Sequence, residues 1–147
     1  MKIKMELNLV KVIHTNKIKT MQNINDFIQK VEQNEANILA IDFDGVIHDH
    51  NLGFYDGTCY GKPIEGALNS IKLLSKKYTI IIFTCKANPN RPLINNRNGV
   101  ELVWGWLKQY NIDKYIKDVT YNKPNALFYI DDKAISFNNW EDTLKHV

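Results

Sequence analysis

The sequence predicts an α/β domain built on a central, mainly parallel sheet. Three features carry that expectation: short apolar runs without polar alternation, helical periodicity between those runs, and acidic or hydroxyl residues directly after several of them. Strands covered on both faces read as solid apolar runs. Strand, helix and strand in repetition call for crossover connections, which are right-handed and yield parallel pairing.

In chain order, Ile3, Met5, Leu7 and Leu9 alternate with Lys4, Glu6 and Asn8, the period of a strand with one buried face. Ile24, Phe27, Ile28 and Val31 then recur at helical spacing, with Asn23 as the expected cap. Residues 1–36 are thus expected to form a strand-helix extension packed on the core, and residues 37–147 the main domain. From residue 37 the runs are ILAI (38–41), a helical pattern from Ile64 to Lys76, TIIIF (79–83), and a helical pattern from Val100 to Tyr110. The weaker YIKDVTY (115–121) and then ALFYI (126–130) close the series.

A chain of 147 residues suits one such domain rather than two. Its 44% hydrophobic and 24% charged content excludes disordered and fibrous classes. The net charge of +3 arises without a basic block, so nucleic acid is permitted as a partner but not required. Cys59 and Cys85 match neither a zinc-ligand spacing nor a disulfide framework, and a reducing compartment is expected. Apolar stretches of about five residues fall far short of the roughly 20 that cross a bilayer. The opening MKIKMELNLVKV alternates lysines with apolar residues, unlike a signal-peptide core. A cytoplasmic protein with no membrane partner is the expectation.

In open parallel sheets, chemistry collects past the carboxyl ends of the strands. Asp42 and Asp44 follow ILAI, Thr84 closes TIIIFT, Lys123 precedes the last strand, and Asp131 and Asp132 end ALFYIDD. Several carboxylates at one sheet edge repel one another unless a cation sits among them, and oxygen ligands favour a hard ion such as Mg2+. That ion neutralises an incoming phosphate, while a lysine and a threonine hydroxyl bind its remaining oxygens. One aspartate is then free to attack phosphorus, and another two residues on to move the proton.

The ordered set DFDGV, IIIFT, Lys123 and YIDD resembles the haloacid dehalogenase superfamily of phosphohydrolases over roughly residues 37 to 140. The resemblance implies a Rossmann-like three-layer sandwich. It also implies Asp42 as nucleophile, Asp44 as general acid and base, and Thr84 with Lys123 as the phosphate-binding pair. Magnesium would be held by the Asp42 side chain, the Asp44 backbone carbonyl and Asp131, with Asp132 a ligand or its neighbour. Val46 stands where the commonest form has threonine, which removes one hydroxyl near the nucleophile. Residues 48 to 62 suffice for a short flap but not for a large cap domain. The closing segment NKPNALFYIDDKAISFNNWEDTL is similar to small capless members and to cytosolic deoxyribonucleotidases. The loop after Thr84 and the helix with Trp104 and Trp106 resemble those of polynucleotide 3′-phosphatases.

Substrate-side candidates are Gly45, His48, Cys85, Lys86, Arg91 and Arg97. Both arginines of the chain lie in the loop after Thr84, and a guanidinium suits the distal part of a phosphorylated substrate. His48 and His50 flank Asp49 as zinc ligands do, but without a further ligand in the flap they are expected to be solvated, with either able to touch substrate. Cys85 is expected to pack beside the site, and Trp104 and Trp106 in the core or at an interface.

The expected activity is magnesium-dependent phosphomonoester hydrolysis on a nucleotide or a nucleic-acid end, by a monomer or homodimer. Small sugar or metabolite phosphates are the alternative substrates. A receiver-like phospho-acceptor module uses the same residue types, but with the acidic pair early and the acceptor later; here Asp-x-Asp comes first and the pair last.

Overall fold

The computed structural model describes residues 17–26, 29 and 37–147. The chain divides into two units, Met1–Ala36 and Asn37–Val147. In the first, residues 17–26 are helical (α1) and exposed. The helix therefore does not start at Asn23, because Ile18 and Met21 carry the three-residue spacing of Ile24 back through an earlier turn. The expected strand at 3–9, the positions Phe27, Ile28 and Val31, and the docking of residues 1–36 lie outside the described residues.

In the second unit, β1 (Ile38–Ile41), β2 (Thr79–Phe83), β3 (Ile116–Thr120) and β4 (Phe128–Ile130) form one sheet in the order β3-β2-β1-β4. Every pairing is parallel, so the α/β expectation stands. The helices are α2 (Ala67–Leu74), α3 (Gly99–Gln109) and the short α4 (Trp140–Thr143). Among the described residues no helix is long and apolar enough to cross a membrane.

Leu39, Ile41, Phe43, Ile47, Ile80 and Ile82 meet Ile71 of α2 and Val103, Trp106 and Leu107 of α3 in one buried cluster. A strand rises one side chain to each face per pair of residues, and β2 buries alternate positions accordingly. α3 starts where it does because Asn98 accepts the Glu101 N–H at 2.9 Å while the Glu101 carboxylate accepts the Asn98 N–H at 2.8 Å. This reciprocal cap contributes about 1 kcal/mol. The helix ends at Tyr110, followed by Asn111 in the left-handed region at φ 57°.

The edge strand β4 departs from the two-covered-faces expectation, since Phe128, Tyr129 and Ile130 are all exposed. Its run is solid in sequence, yet among the described residues only β1 pairs with it. The chain steps outward from β1 through β2 to β3, then returns to the far side of β1 for β4. Ligands of open α/β sheets bind where the strand order reverses in this way.

Candidate functional site

Register alone brings the first acids together. Ile41 is aligned with Ile130 on one side and Ile82 on the other, so the next residues along β1 and β4 are Asp42 and Asp131. Adjacent strands lie about 4.8 Å apart, and the ladder runs one bond further, with the Asp42 N–H donating to the Ile130 carbonyl at 2.9 Å. Thr84 caps a 3-10 turn, Cys85–Ala87, where its Oγ1 accepts the Lys86 N–H at 3.3 Å. Asp132 approaches from the other side. A Cβ on Gly45 would stand 2.7 Å from Asp132 Oδ2, and Gly45 has φ +86°, so only glycine allows this approach.

Asp42, Asp131 and Asp132 each offer one oxygen within 4.8 Å of the others. Burial above all pushes the Asp42 pKa up to about 6, against the Phe43 N–H bond that lowers it, and the charges of Asp131, Asp44 and Asp132 add to the rise. A half-buried carboxylate facing others is the situation a cation relieves, and an all-oxygen donor set suits a hard divalent ion.

Asp44 has the opposite surroundings. Burial works to raise its pKa, but the His48 hydrogen bond, the Lys86 charge and the imidazoles of His50 and His48 outweigh it, and the net position is below the ordinary value. Lys86, almost fully buried, places Nζ 3.6 Å from Asp44 Oδ2 and 3.5 Å from the Gly57 carbonyl. His50 Nδ1 lies 3.5 Å from Asp44 Oδ1 and makes no hydrogen bond among the described residues.

His48 is wholly buried, not solvated. The chain turns sharply at Phe43, whose carbonyl accepts the N–H groups of Val46, Ile47 and His48, and this swings the imidazole back toward Asp44. Nδ1 stands 2.9 Å from Asp44 Oδ1, and Nε2 accepts the Gly61 N–H at 2.7 Å. Asp44, His48 and His50 have the types and proximity of a metal cluster, yet the two bonds of His48 speak against it. With Nε2 as acceptor the ring proton is on Nδ1, so the nitrogen facing Asp44 has no lone pair for a metal.

A cleft of about 370 Å³ is lined by Asp42, Asp44, His50, Phe54, Thr84, Cys85, Lys86, Arg91, Asp131 and Lys133. Thus Asp42, Asp44, Thr84, Asp131, Cys85, Lys86 and Arg91 are brought together as the sequence expects. Cys85 is exposed to the cleft rather than packed away. Lys123 is elsewhere, its Nζ 4.9 Å over the Tyr129 ring. Arg97 lines a different hollow with Thr58, Gly105 and Trp106, because its loop reverses between Ile94 and Arg97. Trp106 is buried and Trp104 packs against the core.

Phe54 and Lys133 were not singled out by sequence. The signal available for Lys133 was its place directly after the acidic pair, where its N–H donates to Asp131 Oδ1 at 2.7 Å. An apolar groove beside α2, lined by Val46, Ala67, Ile71 and Leu74 among others, shares no residue with the cleft.

Comparison of the chain with known protein families, curated proteins and solved structures finds no match.

Proposed function

We propose that this chain is a magnesium-dependent phosphomonoesterase of the haloacid dehalogenase type, with a short flap and no large cap, working through an aspartyl phosphate. The observation that carries the reading is the meeting of Asp42, Asp131 and Asp132 within 4.8 Å of one another, the first two of them lining a cleft with Thr84, Asp44 and Lys86. Asp42, Asp131 and Asp132 would hold the ion, which when bound neutralises phosphate charge and keeps the carboxylates ionised.

The chain's own groups supply the rest. The free Asp42 oxygen attacks phosphorus, the bond to the leaving oxygen breaks, and Asp44 gives that oxygen its proton. Asp44, now a carboxylate, takes a proton from water as the water oxygen attacks phosphorus, which releases inorganic phosphate and restores Asp42. Asp44 stands ionised in the free site, and an arriving phosphate ester brings negative charge that favours its protonated form. Thr84 and the Lys86 ammonium face the phosphoryl oxygens.

A nucleotide or a nucleic-acid terminal phosphate is the favoured substrate. Phe54, exposed at the cleft, offers a ring face to a base, and Arg91 offers a fork to a second anionic group. The test is hydrolysis of p-nitrophenyl phosphate, then of a panel of nucleotides, 3′-phosphorylated oligonucleotides and sugar phosphates. Turnover should require magnesium, stop with chelator and be absent in Asp42→Asn. Full turnover by that variant would sink the mechanism.

A further inference from the structure

We infer that His48 is a positioning residue, which holds Asp44 by one oxygen so that the other, Oδ2, is the oxygen that delivers the proton to the leaving group. The inference rests on the phosphotransfer reading above. What it adds is a buried relay, Trp106 to Gly61 to His48 to Asp44, that no motif in the sequence announces.

The relay has a defined direction. Trp106 Nε1–H donates to the Gly61 carbonyl at 2.8 Å, and the Gly61 N–H donates to His48 Nε2 at 2.7 Å. The imidazole must then donate from Nδ1 to Asp44 Oδ1, at 2.9 Å. Gly61 is built for its place. A Cβ there would meet the Asp49 carbonyl at 1.9 Å and His48 Nε2 at 2.9 Å.

The ring has no freedom to turn over. Phe43 stacks on it at 5.0 Å with planes 6° apart, and Trp106 and Tyr60 close on it edge-on at 5.7 and 5.3 Å. A ring turned over about Cβ–Cγ would set Cε1–H against the Gly61 N–H and Cδ2–H against Asp44, and both hydrogen bonds would be lost. Asp44 Oδ1 is therefore committed to His48, while Oδ2 lies in the cleft beside Lys86. A buried neutral imidazole is used here as a fixed donor, the way a carboxylate-histidine pair fixes a catalytic tautomer with the roles exchanged.

The experiment compares leaving groups. Departure of p-nitrophenolate needs little protonation, whereas an alkoxide cannot leave without it, and kcat/KM reports the phosphorylation step alone. In His48→Phe, which keeps a ring in the stack but donates nothing, kcat/KM for benzyl phosphate should fall about 100-fold. For p-nitrophenyl phosphate it should fall several-fold at most. His48→Asn, whose amide can still donate to Asp44, should recover most of the benzyl phosphate rate.

An equal loss on both esters in a folded His48→Phe, or no loss on either, overturns the inference and leaves the phosphatase reading intact. A wild-type protein that hydrolyses neither ester overturns both. A measurement on the wild-type protein keeps the idea testable should the variants not fold. Nitrogen-15 shifts of His48 should show the Nδ1–H tautomer, and an Nε2–H or doubly protonated ring at neutral pH would overturn it.

Discussion

Lys86 Nζ stands 3.6 Å from Asp44 Oδ2, and the lysine side chain is 4% exposed. Lys123, the lysine the family resemblance selects for phosphate, stands over Tyr129 instead. A buried lysine beside the carboxylate proposed to transfer the proton is the better placed cation. Lys86→Ala should lower kcat/KM for p-nitrophenyl phosphate by about 100-fold, in the range for losing one preorganised electrostatic group. Lys123→Ala should cost less. The reverse ranking in steady-state kinetics would return the phosphate role to Lys123.

Asp42 carries a stability prediction that does not depend on turnover. Its pKa is 3.8 in the reference state and about 6 when folded, so between these values the native state holds more protons than the unfolded one. Stability must fall as pH rises through that window, and the loss is complete above about pH 6. Two units correspond to about 3 kcal/mol, and because Asp42 is only half-buried, solvent screening keeps the real loss well below that figure. In chelator, Asp42→Asn should melt several degrees above the wild type at pH 7.5 and close to it at pH 4. Added magnesium should narrow the gap at pH 7.5. A variant that melts below the wild type at both pH values would contradict the burial and like-charge crowding of the Asp42 carboxylate.

How much of this was legible follows from what each residue depends on. Asp42, Thr84 and Asp131 were readable because each ends a solid apolar run, and parallel pairing puts all such ends on one edge. Register then needs no side-chain information. His48 was misread as solvated because the Phe43 turn, and not any period, aims it inward. Lys123 was ranked above Lys86 on motif order alone, and the structure places Lys86 in the cleft instead, since a four-carbon stem can reach in several directions from the same backbone position. The bare faces of β4 were also hidden, because a solid run looks alike at the edge and in the centre of a sheet.

The cysteines allow a check on burial. Burial, opposed by Lys86 and aided by Asp44, pushes the Cys59 thiol up to about 12, while Cys85 is exposed at the cleft. Thiolate is the reacting form. A disulfide reagent at pH 8 should therefore titrate one thiol per folded chain, and Cys85→Ser should remove it. Magnesium with vanadate, a phosphate mimic, should slow the reaction of Cys85. Two fast thiols in the native protein would show that Cys59 is not shielded as described.

Gly45 links backbone geometry to the carboxylates proposed to hold magnesium. At φ +86° a Cβ is strained in itself, and here it would also stand 2.7 Å from Asp132 Oδ2. The strain alone costs about 1–2 kcal/mol. Relief by pushing Asp132 away would open the carboxylate group that Asp42 and Asp131 complete. Gly45→Ala should thus lower the melting temperature, and should also raise the magnesium concentration for half-maximal stabilisation by about tenfold, as changes around a metal site do. The two effects separate the roles. A lower melting temperature with an unchanged magnesium midpoint would leave Gly45 as a turn residue only and remove Asp132 from the metal-binding set.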